Sequence, residues 1–469
     1  MSESAAAPAT LALPVPRALV RLALPILASQ VLRLAFQWVD ALWVRGLGVN
    51  ATAAITTSVF VMWAVLSLHD VFGMGLGAYV SQLIGAGERR RAGLAAWKGL
   101  RATAALGLAG SAAGVFGAHA IAALMSHDPG VITATTSYLR VVLTAAPLLM
   151  LSLECESVMR ACGDTRTPFA IDASAVALNA VLAPLLIYGF GPFPRLGVAG
   201  AAWATVAAQV VMLSCYVTLA LRRHPSFPLA RRADGPPVRV LGMARVGLPA
   251  AAIGLLFSLV YIAFSRAASQ WGAAAVAVVG IANRVEAILF VFAVSLGLAG
   301  ASLVGQSLGA GRPERAVEVL RTAQRWGAGF ALVVTALFAL VPEWFLSLFS
   351  RDPQVLALGV PYMRVLALTP LATALEITTA ESVMGSGHTL AVSWIYSLVS
   401  LARIPLAFLV PAWTGGGLQS IVWLITISCI LRTAAILAWA ARGTWQRGLA
   451  RELHGRDPAA CAEGDGAAL

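Results

Sequence analysis

Glu156-Ser157-Val158-Met159 returns as Glu381-Ser382-Val383-Met384. Working outward from this pair, further landmarks repeat at an offset of 224 residues, with the quoted pair slipped by one. Pro25 returns as Pro249, and Gln82, Gly85 and Gly87 as Gln306, Gly309 and Gly311. Asp128-Pro129 returns as Asp352-Pro353, and Tyr138 and Arg140 as Tyr362 and Arg364. An offset shared across most of each half means two homologous halves. Both copies lie in apolar segments of membrane length, the usual build of secondary transporters, whose substrate path runs between the halves.

Composition agrees with a membrane solvent. The 469 residues are 59% hydrophobic and only 12% charged, with a mean hydropathy of +0.82; a soluble domain carries roughly 25% charged residues. The net charge of +12 is not gathered into one basic face. Its arginines sit in short gaps between apolar runs, which is the positive-inside pattern and points to a lipid bilayer, not to nucleic acid. Most of the five cysteines (Cys155, Cys162, Cys215, Cys429 and Cys461) lie in apolar runs, and none forms a Cys-x-x-Cys pair. They read as small core hydrophobes, so neither disulfides nor a metal is expected. The first 16 residues lack a basic region ahead of an apolar stretch and read as a short tail, not a cleaved signal peptide.

A spanning helix needs about 20 apolar residues. Twelve segments qualify: 18–44, 53–84, 94–124, 134–159, 167–190, 198–222, 244–269, 273–307, 318–349, 358–386, 389–411 and 418–441. Arg89, Arg90, Arg91, Lys98, Arg222, Arg223, Arg231 and Arg232 exemplify the basic gaps, whereas the alternate gaps hold little beyond Arg45, Arg195 and Arg351. The basic set is expected in the cytosol with both termini, in a bacterial cytoplasmic (inner) membrane. Six spans per half make the halves parallel repeats. The expected fold is therefore all-α, with twelve transmembrane helices in two six-helix lobes about a pseudo-two-fold axis along the membrane normal. The expected divisions are a tail at 1–17, an N-lobe at 18–222, a basic linker at 223–243, a C-lobe at 244–441 and a second tail at 442–469.

Ionisable groups inside spans are functional candidates because their burial is costly. In the first span Gln30, Arg33, Gln37 and Asp40 form one polar stripe. Pro25 breaks the hydrogen-bond ladder below them. His69-Asp70 in the second span is read as a satisfied internal hydrogen bond or, less simply, as part of a proton relay. In the second half, Arg284, Glu286, Glu376, Glu381 and Arg403 are expected to form a separate paired set. Of these, Arg284, Glu286 and Arg403 are C-lobe candidates for coupling or substrate contact. Aromatic faces near a carboxylate suit an organic cation; Trp63, Tyr138, Phe290 and Tyr362, with the polar Gln37, are the substrate-contact candidates.

The chain resembles the multidrug and toxic compound extrusion (MATE) family, nearer its DinF-like branch. The resemblance rests on Val39-Asp40, Ser81-Gln82 through Gly87, Gly163-Asp164-Thr165-Arg166-Thr167-Pro168, Leu196-Gly197-Val198-Ala199-Gly200, Gly305-Gln306 through Gly311, and Arg403-Ile404-Pro405. It implies ion-coupled export of amphipathic, usually cationic, compounds through a cavity between two lobes. It also implies a coupling carboxylate at Asp40, a helix-bending Pro25 and a polar partner at Asn179. Where the branch commonly carries a second acid, this chain has Ala183. A glutamate that holds sodium in the seventh span of another branch has no counterpart at 246–268. If Asn179 neighbours Asp40, then Asp172 and Arg33, each seven residues earlier, share a depth, and the two are expected to pair. Glu154 and Glu156 are expected to compete for the same arginine.

The function these readings imply is a non-enzymatic, monomeric antiporter. It would export amphipathic cations against protons, with the proton motive force, or sodium, in place of any cofactor. A flippase-like exporter of lipid-linked or anionic substrates is the closest alternative. No His-Glu-x-x-His occurs, and the six histidines are scattered, which speaks against a membrane enzyme.

Overall fold

A computed structural model describes residues 9–45, 49–125, 128–449 and 453. In the first half the helices are α1 (Ala9–Ala12), α2 (Val15–Arg45), α3 (Val49–Gly85), α4 (Arg89–Met125), α5 (Pro129–Thr144), α6 (Ala146–Ala161), α7 (Arg166–Tyr188) and α8 (Val198–Leu221). In the second they are α9 (Val240–Ala268), α10 (Ala273–Gly309), α11 (Pro313–Leu340), α12 (Pro342–Ser347), α13 (Pro353–Leu366), α14 (Thr369–Met384), α15 (Thr389–Thr414) and α16 (Leu418–Ala441).

Ten of these helices are long and apolar enough to cross a membrane singly, and two bent pairs complete twelve. The spans expected as continuous at 134–159 and 358–386 are therefore each broken. α5 meets α6 at 46°, and α13 meets α14 at 52°. The cause is local. Pro147 and Pro370 sit in the first turns of α6 and α14, where proline lacks the N–H and clashes with the turn before it. The same chemistry ends α11 at Leu340 ahead of Pro342, so the expected span 318–349 also stops early. The repeated Asp128 and Asp352 cap the starts of the two bent pairs: Asp128 accepts from the Gly130 and Val131 N–H groups, and Asp352 from that of Gln354.

The lobes share their first helices. Val15, Leu19 and Leu22 of α2 pack among Leu303 and Val304 of α10 and Leu320 of α11. In return, Met243 and Val246 of α9 pack among Leu76 and Leu83 of α3 and Met159 of α6. The sequence boundary that gave all of 18–222 to one lobe thus cuts across the packing, because the opening of α2 lies in the other lobe's core.

The described residues nearest each end are docked. Thr10 and Trp445 are buried. The Thr10 hydroxyl donates to Gln306 Oε1 at 2.6 Å, and Arg315 donates to the Thr10 and Leu13 carbonyls. The Leu449 N–H donates to Gln82 Oε1 at 2.7 Å, and Arg91 to the Leu453 carbonyl at 2.6 Å. The linker is docked too: Phe227 and Val238 join the core of the first lobe.

These docked segments lie on one face, the terminal face, and there the lobes are sealed. Gln82 Nε2 donates to the Gly385 carbonyl at 3.1 Å, and Gln306 Nε2 to the Ala161 carbonyl at 2.8 Å. The two donors are repeat mates, and each bonds a carbonyl at the end of the bent pair of the opposite half. A Cβ on Gly85 would run into the Gln306 carbonyl, and one on Gly309 into that of Gln82. Only glycine permits the helices to approach so closely.

Candidate functional site

The polar stripe of α2 enters a network inside the first lobe. Arg33 Nη2 lies 2.6 Å from Asp172 Oδ2 of α7 and 2.5 Å from Glu156 Oε2 of α6. Arg160, one turn after Glu156, binds its other oxygen at 2.5 Å. Nη1 of Arg33 donates to Gln30 Oε1 at 3.5 Å. Two arginines and two carboxylates balance, which is how charge survives in a dry lobe. The two acid side chains are 5% and 1% exposed, while that of Arg33 keeps 31%, so the arginine forms the network's wetter side. The expected Arg33–Asp172 pair is present.

Glu154 does not compete for Arg33. Residues two apart on a helix point about 200° away from each other. Glu156 therefore faces α2 and α7, and Glu154 turns to α3, where its Oε2 lies 3.0 Å from His69 Nε2.

The side chains of Gln37 and Asp40 lie outside the described residues. Two ties nevertheless bracket the level of Asp40 along α2. Below it Arg33 meets Asp172, and above it the Tyr188 hydroxyl donates to the Trp43 carbonyl at 2.6 Å. Between the two α7 residues that make these ties lie Asn179 and Ala183. Asn179 is 1% exposed and donates to Thr205 Oγ1 of α8 at 3.3 Å. Its Oδ1 has no hydrogen-bond partner among the described residues. Ala183 is wholly buried among Ile187, Ala201 and Ala204, with Trp43 against them. Thr205 went unnoticed in the sequence, since a threonine in an apolar span gives no signal of its own. Pro25 lies within the uninterrupted α2.

The set expected in the second lobe does not assemble as one network. Glu376 pairs with Arg432 of α16, Oε1 to Nε at 2.8 Å, and Arg432 lies over the Tyr396 ring at 4.0 Å. Arg432 is an intramembrane charge that the sequence reading passed over, although its position in the last span was the signal. Arg403 donates to Ser428 Oγ at 2.7 Å and to the Ile425 carbonyl at 3.4 Å. No ion pair of Arg403 occurs among the described residues. Glu286 accepts from Thr369 Oγ1 at 3.2 Å, and Arg284 is exposed beside the Phe349 ring.

Of the aromatic candidates, Trp63 is best placed. It is 40% exposed and stacks on Phe257 of α9 at 5.6 Å; Phe257 in turn stacks on Tyr261 at 6.1 Å. This ladder reaches across the lobe boundary, and sequence reading missed its second and third rungs. Phe290 is 47% exposed and Tyr138 half-buried. Tyr362 is a correction: at 2% exposed it belongs to the second lobe's core, because its face of α13 packs inward.

Two pseudo-symmetric helical lobes, sealed on one face and holding ion pairs at membrane depth, define a two-lobed membrane transporter. The family described as MatE matches residues 25–185 and again residues 249–409, starting at the repeated prolines. The chain belongs to the MatE family. A protein of Shewanella oneidensis named FAD transporter is 30% identical over 373 residues, 79% of this chain and 82% of its own. A probable multidrug resistance protein NorM of Thermotoga maritima is 27% identical over 434 residues, covering 92% and 93%. The solved outward-facing structure of a multidrug resistance MATE family transporter of the MOP superfamily has a TM-score of 0.87. At 22% identity over 95% of this chain and 100% of that one, it shows the shared fold.

Proposed function

We propose that the chain is a secondary active antiporter that exports amphipathic, cationic drugs or toxic metabolites in exchange for protons. Asp40 is its coupling acid and Asn179 the partner of that acid. The observation that carries this reading is the pair of ties between α2 and α7. They support it because, between the ties on α7, Asn179 has a buried amide oxygen with no partner among the described residues and Ala183 offers an apolar wall. A carboxyl against such a wall gains from protonation, which removes the charge that burial penalises. The terminal face is assigned to the cytosol, so the seal there belongs to the state that loads protons from outside. The ladder at Trp63 offers flat faces to an aromatic cation.

Efflux of a fluorescent organic cation from proteoliposomes tests this under imposed pH or sodium gradients. Transport driven by the pH gradient and lost in Asp40→Asn is the expected result. Sodium-driven transport would overturn the coupling ion. A second reading, export of anionic substrates, is favoured by one observation. Arg403 is buried at 8% exposed without an acid paired to it among the described residues, and an uncompensated cation attracts an anion. The relative named FAD transporter points the same way. Failure to move any cation, with counterflow of a flavin dinucleotide, would favour that reading.

A further inference from the structure

Gln82 and Arg91 of the first half recur as Gln306 and Arg315 of the second, both at the offset of 224. On the terminal face each pair makes a socket for a piece of chain. The glutamine presents an amide oxygen, and the arginine points its guanidinium at backbone carbonyls. The second socket holds the residues that lead into α2. Gln306 Oε1 accepts from the Thr10 hydroxyl at 2.6 Å, and Arg315 Nη2 donates to the Thr10 and Leu13 carbonyls at 3.0 and 2.7 Å. The opening of α2 packs in the second lobe as well, so these bonds stay within one lobe.

The first socket is filled differently. The residues that lead into α9 supply one contact, the Pro236 carbonyl, 3.1 Å from Arg91 Nη2. The others come from the chain after α16. The Leu449 N–H donates to Gln82 Oε1 at 2.7 Å, and Arg91 Nη2 donates to the Leu453 carbonyl at 2.6 Å.

This segment crosses the seam. Trp445, 1% exposed, packs in the second lobe's core with Leu303 of α10 and Leu320 of α11. Leu449 and Leu453 pack in the first lobe's core with Leu83 of α3 and Met159 of α6. Gly448 permits the crossing. Its φ is +55°, and a Cβ there would lie 2.8 Å from Gln82 Oε1. A side chain at 448 would both strain the backbone and press on the glutamine. Gln82 is therefore engaged twice: its Nε2 holds the Gly385 carbonyl across the seam, and its Oε1 holds the crossing segment.

Lobes that part at this face carry the two cores away from each other. The four residue steps from Trp445 to Leu449 reach at most about 14 Å, so the segment has little slack and must leave one of its seats.

We propose that residues 445–449, with Leu453, are a strap that holds the terminal face closed, and that the strap leaves Gln82 and Arg91 each time the face opens. Its burial and hydrogen bonds in the first lobe belong to the closed state alone and favour that state. The repeat-related socket lacks this action, because its occupant and its walls move together. The proposal rests on the lobe motion of a transporter of this family, but not on Asp40, the coupling ion or the substrate.

The test is the opening of the terminal face in nanodiscs without substrate. Distance probes go at the exposed Arg222, after α8, and Glu318 of α11, one on each lobe. Gly448→Ala should raise the open-to-closed ratio about tenfold, the scale of leaving one buried amide oxygen without its partner. Leu453→Ala should raise it by about tenfold or more, through the apolar burial lost from the closed state. Gly311→Ala is the control. It imposes the same backbone strain at φ +69° on the same face, but its Cβ meets nothing within 4 Å, and the ratio should not change. Hydrogen exchange follows the strap itself: the Leu449 amide should lose protection in every form whose face is more open, Gly309→Val included. A ratio in Gly448→Ala no higher than in Gly311→Ala would overturn the proposal. So would an opened face with the Leu449 amide still protected. Failure of cation efflux with these results intact would count against the exporter reading alone.

Discussion

Arg33 joins three helices at one point, so its removal is felt by all three. In Arg33→Met, Glu156 keeps Arg160 but Asp172 is left 1% exposed without its cation. Breaking a buried pair from one side costs about 3–5 kcal/mol, and the lower end applies here because Arg33 is partly wet. Thermal unfolding in detergent should show that loss. Arg33→Asp should cost more, since it sets an acid against two others; adding Asp172→Arg should restore part of it. A double variant no more stable than Arg33→Asp would show that the contact does not stabilise the lobe. The Arg33–Asp172 contact was legible because both residues sit two turns before a recognised landmark on helices running the same way. The partner of Glu154 was not, because nothing local says which neighbour stands behind the far side of α6.

At the scale of elements, the seal is made by backbones in contact. Gly309→Val drives a side chain into the Gln82 carbonyl, and the terminal face should then spend more of its time open. Cys162, half-buried beside the seal, reports this. Its maleimide labelling, mapped by mass spectrometry, should accelerate in Gly309→Val. Gly280→Val, where an added Cβ meets nothing within 4 Å, should leave it unchanged. Equal rates in the two variants would refute the role given to Gly309. The number and order of the spans were readable from hydropathy and length. The breaks in the fourth and tenth were not, although Pro147 and Pro370 were in view. A proline within a membrane helix is often absorbed as a kink, and only the packing of each half-span shows that the axis turns.

For the whole molecule, the arrangement of arginines predicts the orientation. Arg90→Cys on the terminal face should resist a membrane-impermeant maleimide added to intact cells. Gly416→Cys, exposed at the opposite end, should react. Both variants are made in a Cys461→Ser background, and the four described native cysteines are buried or half-buried. The reverse pattern would invert the topology and with it the direction assigned to transport. Duplication, the twelve apolar segments, the basic gaps and the polar stripe of α2 follow from the sequence by itself. Each is written in the period or spacing of one stretch of chain. Other features were decided only in three dimensions: the opening of α2 packed in the opposite lobe, Thr10 and Leu449 docked on the repeated glutamines, Arg432 on Glu376, Tyr362 in the core, and Glu154 turned to His69. Each depends on which face of a helix meets which neighbour. That choice is made by residues hundreds of positions apart packing together, and an apolar helix carries too little pattern of its own to announce it.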